Sequence, residues 1–95
     1  MKMKNELPVK PYGSYILIRL ESEGDASRGT VVGIGCGVSG LEVGDRILVN
    51  KEGPYFEFHC PVHIIEPDRK DPHRADYAFI DYRDVMCIDN EGVLF

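Results

Sequence analysis

The stretch Ser14-Tyr15-Ile16-Leu17-Ile18-Arg19-Leu20-Glu21 decides the fold class. It is rich in β-branched and aromatic residues, and its side chains sort at a period of two rather than at helical spacing. Ile16, Ile18 and Leu20 fall on one face of an extended strand, and Tyr15, Leu17 and Arg19 on the other. Upstream, Pro8 and Pro11 keep the chain extended and rule out a helix. Downstream, Ser22-Glu23-Gly24-Asp25-Ala26-Ser27 forms a short polar turn.

The same pattern continues outward from this strand. A second strand covers 29–34 and runs into Gly35-Cys36-Gly37-Val38-Ser39-Gly40, where closely spaced glycines mark a tight turn or bulge. Gly44-Asp45 turns the chain into a third strand ending at Val49, and Lys51-Glu52-Gly53-Pro54 closes it. A fourth strand covers 55–59. Residues 60–74 then break the rhythm with Pro61, Pro67, Pro72 and the run Asp68-Arg69-Lys70-Asp71, a composition suited to a long exposed loop. Strands at 77–80 and 85–88 flank a turn at 81–84. After a further turn at 89–92 comes an apolar tail, Val93-Leu94-Phe95. No helical pattern exceeds a single turn. Several short strands separated by turn signals predict one all-β domain over 1–95, and a small β-barrel is favoured because closure hides sheet edges.

A chain of 95 residues makes one domain that buries a modest share of its surface, so self-association is a natural source of extra stability. Eleven Lys and Arg against sixteen Asp and Glu leave a net charge of −5. No basic excess is available to neutralise phosphates, so no nucleic-acid partner is expected. Three cysteines without C-x-x-C spacing point to reduced thiols in a reducing compartment. The residues after Met1 form no leader-like apolar stretch. The longest apolar run, 31–38, is interrupted by three glycines and falls short of the roughly 20 residues a membrane span needs. A soluble, cytoplasmic protein is the expectation, with no membrane partner.

Motifs that could carry chemistry are weak. Gly33-Ile34-Gly35-Cys36-Gly37 resembles the start of a dinucleotide fingerprint, but its third glycine position is Val38 and no helix follows. His59, Cys60, His63 and His73 are metal-ligating residue types, yet nothing in their spacing closes a four-ligand site. His59 and Cys60 are neighbours on a strand and so point to opposite faces, which disfavours a nucleophile–base pair. No catalytic residue, cofactor or metal is expected, and a binding role is favoured over an enzyme.

The blocks, taken in order, resemble the co-chaperonin (GroES) family. Pro11 followed by Ser14-Tyr15-Ile16-Leu17-Ile18 is similar to that family's opening strand. Arg28-Gly29-Thr30-Val31-Val32-Gly33-Ile34-Gly35-Cys36-Gly37 is similar to its "G-x-V-x-x-V-G-x-G" strand, and Val43-Gly44-Asp45-Arg46-Ile47-Leu48-Val49 to its "V-G-D-x-V" segment. Tyr77-Ala78-Phe79-Ile80 and Asp84-Val85-Met86-Cys87-Ile88 resemble its closing pair. These blocks cover about a third of the chain's 95 residues. The lead-in Leu7-Pro8-Val9-Lys10 and the divergent middle look closer to tailed-phage members than to cellular ones. The resemblance implies a ring, a heptamer, in which the first strand of one subunit pairs with the last strand of its neighbour. Tyr15 and Leu17 at one edge and Val85 and Cys87 at the other would then form the subunit interface; separately from the resemblance, the apolar tail Val93, Leu94 and Phe95 suits packing against a neighbour.

The family's chaperonin-binding element is a long loop after the first strand with an aliphatic triplet at its tip. Residues 22–27 fill that place here and carry no such triplet; at roughly 3.5 Å per extended residue they cannot reach far. The hairpin that roofs the family's dome is nearly absent at 38–42. Docking on a chaperonin would therefore fall to the aliphatic cluster Val62, Ile64 and Ile65 in the long loop, unless Ile64 and Ile65 cover the barrel's own core, which is the favoured reading of the two. The alternative is the same barrel reused as a structural or assembly component of a phage virion, with a capsid-type protein as partner.

Overall fold

The structure is a computed structural model and describes residues 8–22, 24–69 and 73–94. Six strands form one antiparallel sheet: β1 (Tyr15–Ser22), β2 (Asp25–Ile34), β3 (Arg46–Val49), β4 (Tyr55–Pro61), β5 (Arg74–Asp81) and β6 (Val85–Ile88), in the spatial order β4-β5-β1-β2-β3-β6. A single-turn helix, α1 (Val62–Ile65), follows β4, and a 3-10 turn at Tyr82–Asp84 links β5 to β6. The fold is thus a small all-β domain whose sheet is open, with β4 and β6 at its two ends.

β1 is the middle of the molecule, and its alternation organises two cores. Ile16, Leu17 and Ile18 are all fully buried, so both faces of the strand are covered. On the inner face Ile16, Ile18 and Leu20 pack with Val31, Ile47, Val49, Ala78 and Ile80. On the outer face Leu17 packs with Val32, Tyr77 and Ile65, the last contributed by α1. Each such side chain contributes on the order of 1.5–3 kcal/mol on leaving water.

Long-range pairing holds the two halves of the sequence together. β1 pairs with β2 on one side, closing at Ser22↔Asp25, and with β5 on the other, from Tyr15↔Asp81 to Arg19↔Tyr77. Gly24, at φ +77°, makes the sharp β1–β2 connection possible. The glycine cluster serves a backbone crossing rather than a phosphate. Gly35 and Gly37 donate their amides to the carbonyls of Tyr15 and Gly13, both at 2.9 Å. A Cβ on Gly35 would lie 2.3 Å from the Gly13 carbonyl oxygen, so only glycine fits there.

Two expectations are corrected. The region 60–74 is not one long loop: Cys60 and Pro61 complete β4, Val62–Ile65 is helical, and β5 begins at Arg74. Its prolines mislead because Pro61 ends an edge strand, where a missing amide costs no ladder bond, and Pro67 lies in the turn beyond the helix. The pairing role given to β1 also changes. Both of its sides are occupied within the chain, so it offers no free edge along its paired length, whereas among the described residues β6 pairs only with β3.

Candidate functional site

The surfaces available for binding follow from what the sheet leaves uncovered. β6 runs against β3 from Ile47↔Ile88 to Val49↔Val85, with a register shift that leaves Met86 without an opposite residue. Val85 is half-buried and packs on the inner core, and Cys87 is half-buried. The residues that face water are their neighbours: Met86 is 66% exposed and Ile88 44%. Edge strands usually carry charge when they must stay alone. This one is short and bulged, which discourages indiscriminate pairing, yet it presents two large apolar side chains.

The tail beyond β6 carries two more exposed apolar side chains, and one carboxylate holds it. Asp89 is buried, and its two oxygens accept the amides of Val93 at 2.9 Å and Leu94 at 2.6 Å. Those bonds, the Leu94 amide foremost, hold the Asp89 carboxyl below the usual carboxylate range. With their amides tied inward, Val93 and Leu94 display their side chains, 79% and 57% exposed. The remaining tail position singled out from sequence, Phe95, lies outside the described residues. Tyr15 is partly exposed, whereas Leu17 is enclosed in the outer core and unavailable to a neighbour.

The aliphatic cluster expected to dock on a partner divides. Val62 and Ile65 are buried, three positions apart on the inward side of α1, and only Ile64 remains exposed. The helix has no side-chain cap, so tertiary contacts must fix it. Glu66, the residue after it, supplies them. Arg19 Nη1 lies 2.6 and 2.7 Å from the two Glu66 carboxylate oxygens, and the Tyr77 hydroxyl donates to Glu66 Oε2 at 2.7 Å. Burial, with the adjacent carboxylate, pushes the Tyr77 hydroxyl far above its ordinary range, so it remains a donor.

The histidines and cysteines do not converge. His59 sits opposite Asp76 in the β4–β5 register, and its Nδ1 contacts the Asp76 carboxylate. Asp76, nearly buried, also accepts the Gly24 amide at 3.2 Å, which ties the β1–β2 turn to β5. Burial raises the Cys60 thiol, which makes it a poorer nucleophile and metal ligand. Among the described residues no group of three or more His, Cys, Asp or Glu side chains could hold a metal ion. No helix among them is long and apolar enough to cross a membrane.

Sequence missed the Arg19–Glu66–Tyr77 clamp because its members lie far apart in the chain. At β6 the residues chosen from sequence, Val85 and Cys87, are half-buried, and their neighbours Met86 and Ile88 face water instead. No protein-family model, no curated protein and no solved structure matches this chain.

Proposed function

We propose that this chain is a co-chaperonin-like protein that acts without catalysis, closing as a small GroES-like barrel, assembling into a ring and capping a chaperonin. The observation that carries the reading is the uncharged edge at β6, unpaired among the described residues, together with the exposed side chains of Val93 and Leu94. A strand edge that displays Met86 and Ile88 gains by association, and a head-to-tail contact between unlike surfaces closes into a ring when the rotation permits. The barrel reading is supported by the inner core, where Val85 of β6 packs against the cluster that holds Ala78 and Ile80 of β5, from the other half of the sheet. With Val62 and Ile65 committed to the core, Ile64 is the member of that cluster left for contact with a chaperonin.

The tight β1–β2 connection favours a second reading. Ser22 pairs directly with Asp25, leaving no loop of the kind that reaches a chaperonin. The assembly role then stands alone, as a component of a phage virion that binds a capsid-type protein.

Native mass spectrometry of the purified chain, alone and with a chaperonin plus ATP, separates these. A seven-fold multiple of the chain mass that adds to the chaperonin supports capping. The same multiple without chaperonin binding removes capping and leaves assembly. A monomer at every concentration overturns both. In the ringed case, Met86→Lys with Ile88→Lys should release monomers that remain folded.

A further inference from the structure

We infer that the aromatic groove at the uncovered end of the outer sheet face binds an extended, proline-containing peptide segment that carries acidic residues beside its prolines. The groove is lined by Lys10, Pro11, Tyr12, Tyr15 and Pro54 to Phe56, with Phe79 at its base, and has a volume of about 450 Å³. It exists because α1 covers only part of the outer face. Ile65 closes the part around Leu17, Val32 and Tyr77. The row continues past the helix through Phe58 and Phe79, with ring centroids 5.7 Å apart, to Phe56, 65% exposed.

Three features of the lining specify the occupant. The first is ring faces. Tyr12, Tyr15, Tyr55 and Phe56 are all exposed, and Pro11 and Pro54 hold the chain at either side. Aromatic- and proline-lined grooves on small β domains suit the polyproline II helix, which presents flat pyrrolidine rings and loses little entropy on binding. The second is donors. Among the described residues the hydroxyls of Tyr12, Tyr15 and Tyr55 enter no hydrogen bond, and a polyproline II segment, which has no internal hydrogen bonds, offers carbonyls to receive them. The third is charge. Among the described residues that line the groove, Lys10 is the one charged residue. The occupant's charge beside the rings is therefore negative. The wall is also pre-set: the Tyr15 amide bonds the Tyr12 carbonyl at 3.2 Å, and the Gly35–Tyr15 and Gly37–Gly13 bonds fix that turn to the sheet. A groove that need not reorganise retains more of its contact energy as affinity.

The test is fluorescence anisotropy with labelled synthetic peptides: a proline-rich peptide flanked by aspartates, its lysine-flanked counterpart, and an aspartate-flanked peptide with the prolines replaced by alanine. The first should bind, and the other two should bind on the order of tenfold more weakly. Phe56→Ser and Tyr12→Ser, both at well-exposed positions, should weaken the first peptide by a similar factor while leaving the circular dichroism spectrum unchanged. Lys10→Glu should shift preference towards the lysine-flanked peptide. Equal binding of the alanine peptide, or binding unaffected by Phe56→Ser and Tyr12→Ser, overturns the inference. So does failure of the proline peptide to bind while the same substitutions lower the native mass, which would assign the groove to a second copy of the chain.

Discussion

The clamp on α1 yields a quantitative prediction through Tyr77→Phe. The substitution keeps the ring that stacks on Phe58 at 5.7 Å and removes only the hydroxyl that donates to Glu66. A hydrogen bond to a charged acceptor is worth about 1.5–3 kcal/mol. Glu66 keeps Arg19 in the variant, so no carboxylate is orphaned and the lower half of that range applies, about 1.5–2 kcal/mol. For a domain of this size each kcal/mol moves the midpoint by about 4–8 °C, so Tm should fall by about 6–16 °C. Glu66→Gln strips the charge from the Arg19 contact. The two side chains are 23% and 14% exposed, and partial access to water holds the loss to about 2–3 kcal/mol, below that of a fully buried pair. The two substitutions share one carboxylate, so the double variant should depart from additivity by at least about 0.5 kcal/mol. Urea denaturation of the four proteins measures the cycle. A Tyr77→Phe protein as stable as the parent, with strictly additive effects, would show that packing alone positions the helix.

Three further outcomes follow. Ile65→Ala should cost about 2–5 kcal/mol in urea denaturation, as a large-to-small change in a core, whereas Ile64→Ala should stay within about 0.5 kcal/mol; equal effects would contradict the division of the cluster. Gly35→Ala should lose about 1–3 kcal/mol by thermal denaturation, because the added methyl meets the Gly13 and Tyr15 carbonyl oxygens, while Gly37→Ala, where the nearest atoms lie 3.2 Å away, should lose less. The Asp89 carboxyl is held below the ordinary aspartate range, so its hold on the tail is present above that range and is lost as pH falls through the still lower folded value. Hydrogen-exchange protection of the Val93 and Leu94 amides should decline with acidification in the parent and be weak throughout in Asp89→Asn; a pH-independent parent would refute the cradle.

The sequence disclosed what depends on local alternation. The two faces of β1 were legible from Ile16, Ile18 and Leu20 against Leu17, and 85–88 was bounded as the structure has it, because each strand carries its own pattern. Pairing was not legible. β1 has the composition of a strong strand whether it lies at an edge or in the centre, and only the arrival of β5 decides. The segment 60–74 failed for a related reason: prolines signal a break in the chain, but not whether the residues between them fold back onto a core. Glu66 stands in the sequence as one more surface carboxylate until Arg19 and Tyr77, from two other strands, are placed beside it.

The central position of β1 also sets an order in time. Its β2 partner follows across a tight turn, and such a hairpin forms in about 1–10 μs. Its other partner begins at Arg74, and the outermost register pair joins Tyr15 to Asp81. Until that distant strand is made and docks, one whole side of the most apolar segment has no partner within the chain. Closing so long a span slows folding towards the millisecond-to-second range of non-local β topologies. During synthesis the exposed side of β1 is then the nascent chain's main route to misassociation, and it persists until residues 74–81 have emerged from the ribosome.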